Sequence, residues 1–173
     1  MNYFHHPNIP LMTKHHQDYL KLVPAEIPLL SFVDEQGLLL SRICRDIYDK
    51  KGNYSYEKGK WSLNAVIGHL IDWDRIMLFR IMSIARNLEV PLPSLDPDKV
   101  MDTARCNERS LDDLLNDWDC SNSSTIKFLS SLNLQDLSRK GTVATHQISA
   151  NDLAYVNAGH VAHHIKILKE RYL

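Results

Sequence analysis

Nine histidines stand in a chain of 173 residues, and three of them occupy positions from which one metal ion could be held. His160 and His164, within Gly159-His160-Val161-Ala162-His163-His164, are four residues apart, so on a helix they stack on one face a turn apart. Neutral imidazoles supply lone pairs that can converge at about 2 Å on an ion without adding charge. Taking about 100° per residue from His160, His164 falls at about 40° and His163 at about 300°, while Leu153, Val161, Ile165, Ile167, Leu168 and Tyr172 average about 80°. His164 therefore faces the apolar arc, and His163 turns toward Lys166 and Glu170. The third candidate is His69, in AVIGHLIDWDRIMLFRI, at the edge of an arc formed by Val66, Leu70, Met77, Ile81 and Ile84. One inward histidine alone reads as a satisfied core imidazole. Three such groups on two helices need partners. Spacing leaves metal ligation and core hydrogen bonding both open.

Other chemistry-bearing residues surround these three. Asp74 lies within the apolar arc of the same helix, whereas Asp72 falls on its polar side. Asp74 is the candidate catalytic carboxylate, able to orient a ligand imidazole or accept a proton; a structural cap or ion pair is the competing reading. Arg80, three turns beyond His69 on its face, would meet an anionic substrate or Asp74's surroundings. Gly68 and Gly159 each precede a candidate ligand inside a helix, and close helix–helix contact is the expected reason. The pairs His5-His6 and His15-His16 are expected on exposed or mobile chain, outside the site. Cys44, Cys106 and Cys120 form no C-x-x-C pair and suit a reducing compartment as small apolar residues, with a catalytic thiol the less favoured reading.

Four long helical patterns must position these groups, and no stretch alternates convincingly as a strand. The first covers 27–49, confined at its start by Pro24 and Pro28. The second begins at Ser62 as N-cap, with Trp61 and Val66 at the hydrophobic-staple spacing, and runs to Ala85. A proline-rich connection, with a short helix expected over 98–105, leads to Ser110 and Asp113, which open a third helix reaching Leu132. A turn-rich segment through Gly141 precedes Ser149 and Asp152, which open a fourth helix continuing to Tyr172. The pattern predicts an all-α fold, a four-helix bundle, as one domain over 1–173 with an N-terminal extension of about 1–18. The long connection between helices two and three allows a crossover along the bundle.

Composition narrows the functional classes. At 44% hydrophobic, 24% charged and net charge −1, the chain has no field to recruit nucleic acid or an anionic membrane. No apolar run approaches the length of a membrane span, and the first residues lack a signal-peptide pattern, so a cytoplasmic location is expected.

The segment KWSLNAVIGHLIDWDRIMLFRI resembles the second-helix signature of the DinB-like (DinB/YfiT) superfamily, and AGHVAHHIKILKERYL is similar to its last helix. With PLPSLDPD, NERSLDDLL and RKG between them, the resemblance spans Tyr19 to Leu173. It implies an up-down-down-up bundle with a three-histidine metal site, whose positions match His69, His160 and His164. The family often has Glu where this chain has Asp74, which weakens any fixed role there. Relatives include transferases and isomerases that use bacillithiol, mycothiol or glutathione.

The resulting expectation is an enzyme holding a divalent ion, zinc or nickel first, in which a low-molecular-weight thiol is activated toward a small electrophile. Metal-dependent hydrolysis is the enzymatic alternative. A non-catalytic metal- or ligand-binding stress-response module, able to act as a homodimer, is the other.

Overall fold

The computed structural model describes residues 3–8 and 13–173. Seven α-helices are described: α1 (Lys14–Leu20), α2 (Leu29–Lys51), α3 (Leu63–Ala85), α4 (Pro97–Met101), α5 (Leu111–Ser130), α6 (Leu134–Ser138) and α7 (Ala150–Ile167), with a π turn over Leu168–Tyr172. The four long ones, α2, α3, α5 and α7, form the bundle. Their starts follow the expected chemistry. The hydroxyls of Ser62, Ser110 and Ser149 accept from the backbone N–H groups of Ala65, Asp113 and Asp152, satisfying donors that a helix start leaves orphaned. The two-way capping box forms instead at Asn133 and Asp136, opening α6.

Cross-helix pairs fix the directions. Asn64 Nδ2 donates to the Arg109 carbonyl near the starts of α3 and α5, and Arg86 lies over the Phe128 ring near their ends, so α3 and α5 run parallel. Arg45 pairs with Asp112, and Trp118 Nε1 donates to the Gly37 carbonyl, which makes α2 and α5 antiparallel. Asp74 meets Asn157 while His69 meets His160, so α7 opposes α3 and runs with α2. The bundle is up-down-down-up. Both α2 and α3 pack on α5 and α7.

Two parallel neighbours need a chain that returns along the bundle, and the connection from Arg86 to Ser110 does this. It carries α4 and a 3-10 turn over Cys106–Glu108. The turn-rich segment before α7 departs from the expectation of no strands. Lys140–Val143 (β1) and His146–Ser149 (β2) pair antiparallel, Gly141 opposite Ile148 and Val143 opposite His146. Ala144, at φ 54°, turns this hairpin and donates to the Leu92 carbonyl at 2.7 Å, joining it to the long connection. Its Ala-Thr turn carries none of the Asn-Gly or Gly-X signals by which hairpins are read.

The N-terminal segment also departs from expectation. Leu20 and Val23 are buried, and α1 packs on α7, with Thr13 capping its start by accepting from His16 N–H. Gly159 is the reason for this close approach, because a Cβ there would overlap the Tyr19 carbonyl oxygen and sit 2.6 Å from its carbon. Gly68 likewise faces Cys106 of the connection rather than α7. Both glycines admit close neighbours, though not one another's helices. No described helix is long and apolar enough to cross a membrane.

Candidate metal centre

The antiparallel pair α3 and α7 brings His69 opposite His160 and His164. His160 Nε2 lies 3.1 Å from His69 Nε2 and 3.1 Å from His164 Nε2, and all three ligand atoms fall within 4.8 Å of one another. The three residues are 4%, 4% and 9% exposed, so they end in the bundle interior and not at its surface. Aromatic rings wall them. Trp61 lies 4.7 Å and Trp73 5.6 Å from the His69 ring, and Tyr19 lies 5.4 Å from that of His160.

These contacts fit a cation better than hydrogen bonds. A neutral imidazole nitrogen offers either one N–H or one lone pair, so His160 Nε2 can serve only one of its two neighbours. An ion at the common point takes all three lone pairs. Ligand nitrogens on a tetrahedral zinc with bonds of 2.0–2.1 Å stand about 3.3–3.4 Å apart, close to the 3.1 Å of the two pairs that share His160. Burial pushes the His69 imidazole down to about 4. Burial first, and the neighbouring imidazoles second, hold His160 and His164 well below the ordinary histidine value. All three therefore stay neutral near pH 7, the form that ligates metal.

The cluster forms part of the wall of a cavity of about 540 Å³. Seven of the nine histidines line it: His15, His16 and His146 join His69, His160, His163 and His164. His163 is half-buried with its ring 5.4 Å from that of His164 and 5.3 Å from Tyr19, at the rim that the helical wheel assigns to it. The pairs His5-His6 and His15-His16 do not all lie free on exposed chain. His15 is exposed, but His16 is half-buried at the cavity, where burial and then His15 and His146 lower its pKa. His6 packs edge-on against Tyr155, its Nε2 3.2 Å from the Val23 carbonyl. The apolar residues of α1 and the turn after it drew this segment onto α7.

Asp74 is buried, as its position in the apolar arc implies, and its carboxylate is bonded to side chains of α5 and α7. One carboxylate oxygen accepts from Ser121 Oγ at 2.6 Å and Thr125 Oγ1 at 2.8 Å, and the other from Asn157 Nδ2 at 2.9 Å. It is buried between α3, α5 and α7 and does not line the cavity. This occupancy by three donors favours the structural reading of Asp74 over the candidate catalytic one: its carboxylate ties helices together. Arg80 does line the cavity. None of the cysteines does, and burial pushes the Cys44 thiol up to about 12, against any role as a thiolate. Among the cavity residues missed in the sequence are Tyr19, Trp61, Trp73 and His146, with His15 and His16, which were expected outside the site. Trp73 stands four residues after His69, which places it on the same helical face, a signal that was available, whereas Trp61 precedes the N-cap Ser62 and carries no helical register. Nothing local marks Tyr19 or His146.

An up-down-down-up bundle with three converging imidazoles at its cavity wall defines the class: a helical-bundle protein with a site suited to a divalent ion. The chain belongs to the DinB superfamily, whose profile matches residues 34–168. Among solved structures it is similar to YfiT from Bacillus subtilis, described as a probable metal-dependent hydrolase with an unusual four-helix bundle topology. The TM-score is 0.60 at 15% sequence identity, covering 80% of this chain and 84% of that one, a likeness of fold. No curated protein sequence matches the chain.

Proposed function

We propose that this protein is a metal-dependent enzyme acting on a small molecule in the cavity, with hydrolysis of an ester or amide as the leading reaction. The observation that carries this reading is the convergence of three buried imidazole nitrogens with no fourth protein ligand among the described residues. Structural zinc sites close with four protein ligands, whereas catalytic ones keep a position open. An ion held there supplies Lewis acidity and lowers the pKa of a nucleophile beside it. The protein's own part is otherwise positional. His69, His160 and His164 hold the ion, Trp61, Trp73 and Tyr19 exclude bulk water, and His16 on the cavity wall offers a neutral imidazole to take up a proton. Water needs no binding site of its own, and the description of YfiT points the same way.

The cavity volume favours a second reading. About 540 Å³ lies within the range that holds a drug-sized ligand, enough for two small reactants. Transfer of a low-molecular-weight thiol to an electrophile would use the same three ligands. Protein purified without a His tag, loaded with zinc or nickel, separates these readings on a panel of esters and amides and a panel of thiols with electrophiles. Hydrolysis that vanishes with chelator and in His160→Ala, yet survives His163→Ala, supports the proposal. Conjugation without hydrolysis turns it to the second reading. A loaded protein inert on both panels overturns it as an enzyme.

A further inference from the structure

The cavity holds one more unusual group, away from the imidazoles. Arg80 follows His69 by three turns of α3 on nearly the same face, about 16 Å along the helix axis. It is 7% exposed and lines the cavity. Its Nη2 donates to the Pro93 carbonyl at 2.7 Å, its Nη1 lies 3.8 Å from Met77 Sδ, and its Cζ lies 5.8 Å from the Trp73 ring centroid. A guanidinium carries five N–H donors and a permanent charge. One carbonyl, one thioether and one ring face leave most of those donors unmatched and the charge without a counter-ion. Among the described residues no carboxylate pairs with it. Asp74, the acid on its own helix nearest the core, is taken up by Ser121, Thr125 and Asn157.

A buried charge without a counter-ion is unfavourable, and a methionine or leucine would fill the same place more cheaply. A guanidinium is suited to planar, bidentate recognition of carboxylate or phosphate, with a strength that grows as water is excluded. Trp73 stands between the two ends of the cavity, 5.8 Å from the guanidinium and 5.8 Å from the His160 ring.

We propose that Arg80 is the anion anchor of this cavity, so that its substrates are small molecules with a carboxylate or similar anionic group at one end, an apolar segment along Trp73, and the reacting bond at the imidazole end. The last part rests on the proposed metal centre; the anchor itself does not.

The test uses the full chain, zinc-loaded and after chelation, with 4-phenylbutyrate and 4-phenylbutan-1-ol as probes that share a body and differ in charge. Binding is followed by calorimetry. The acid should bind at least about tenfold more tightly than the alcohol in both forms, as a charge-assisted pair in a dry site requires. Arg80→Met should bring the two probes together while leaving zinc stoichiometry unchanged, and Arg80→Lys should keep part of the preference. An acid that binds no better than the alcohol to chelated wild-type protein overturns the anchor, and this comparison needs no variant to fold. A preference confined to the zinc-loaded form and surviving Arg80→Met also overturns it, by placing the carboxylate on the metal. A preference that holds although zinc does not bind upholds the anchor and removes the metal reading instead.

Discussion

The imidazoles of His69, His160 and His164 are held neutral by burial, and this has a consequence for acid stability. Their folded pKa values lie below that of an unfolded histidine, at about 4 for His69 and well below the ordinary value for the other two. The unfolded chain therefore binds protons first as pH falls. The associated stability is fully present above about pH 6.5 and is lost as pH drops toward 4, on the order of 3 kcal/mol for His69 alone. His16 and His163, also lowered by burial, add smaller terms of the same sign. Denaturant midpoints of metal-free protein should fall from pH 7 to pH 5, and a flat profile would show that the trio protonates without penalty. The three imidazoles were legible in the sequence because ligation and helical burial would impose the same spacing on one face. Asp74 was not, since a wheel gives direction but not the donors waiting there. With three neutral donors on its oxygens, Asp74→Asn should destabilise by about 1.5–3 kcal/mol. Zinc affinity should stay within about twofold, less than the roughly 10- to 100-fold loss expected of a ligand's hydrogen-bond partner. Calorimetry on both proteins checks this.

At the level of elements, the long helices were readable because each repeats its apolar residues at helical spacing, and α3, α5 and α7 begin with a serine that caps them while Pro28 confines the start of α2. Ser62, Ser110 and Ser149 accept the bonds their positions call for. The β1–β2 hairpin and α1 were not readable, because their reasons lie elsewhere in the chain. The hairpin turns on Ala144 at a positive φ and is tied to Leu92, while α1 depends on a missing side chain in α7. The two buried glycines of α3 and α7 should accordingly differ in sensitivity. At Gly159 an added methyl meets backbone, the Tyr19 carbonyl, which cannot move without carrying α1 and its share of the cavity wall. At Gly68 the obstacle is Cys106 Sγ, a side-chain tip on the long connection, which can turn aside. Gly159→Ala should cost about 1–3 kcal/mol, the usual range for overpacking, and Gly68→Ala clearly less. Faster proteolysis after Lys14 and Lys21 in Gly159→Ala alone would locate the damage in α1. Equal losses at the two positions would refute this account.

Over the whole molecule, the core divides into two apolar clusters on either side of the histidines. One gathers Leu20, Phe32, Met77, Ile81, Leu129 and Leu153 from α1, α2, α3, α5 and α7 with the turns between them. The other gathers Leu40, Ile67, Leu70, Leu115, Trp118 and Ile165 from α2, α3, α5 and α7. Each cluster joins the same four long helices, so the up-down-down-up arrangement is held at both ends without help from the site. This is unlike a zinc finger, in which the metal supplies the folding energy because little apolar surface is buried. The prediction is that chelation leaves helicity intact at room temperature and lowers only the unfolding midpoint. The size of that shift follows from mass action. An ion at about a hundred times its dissociation constant contributes about 2.7 kcal/mol, and at a thousand times about 4.1, because it binds the folded state alone. The shift should therefore grow with the logarithm of zinc concentration and disappear in His160→Ala. Trp61 and Trp73 flank the cluster, so their fluorescence should respond to zinc in the folded protein before any loss of circular dichroism. If chelator collapses the helical signal at room temperature, the trio is a structural staple, and an open catalytic position in this bundle is excluded.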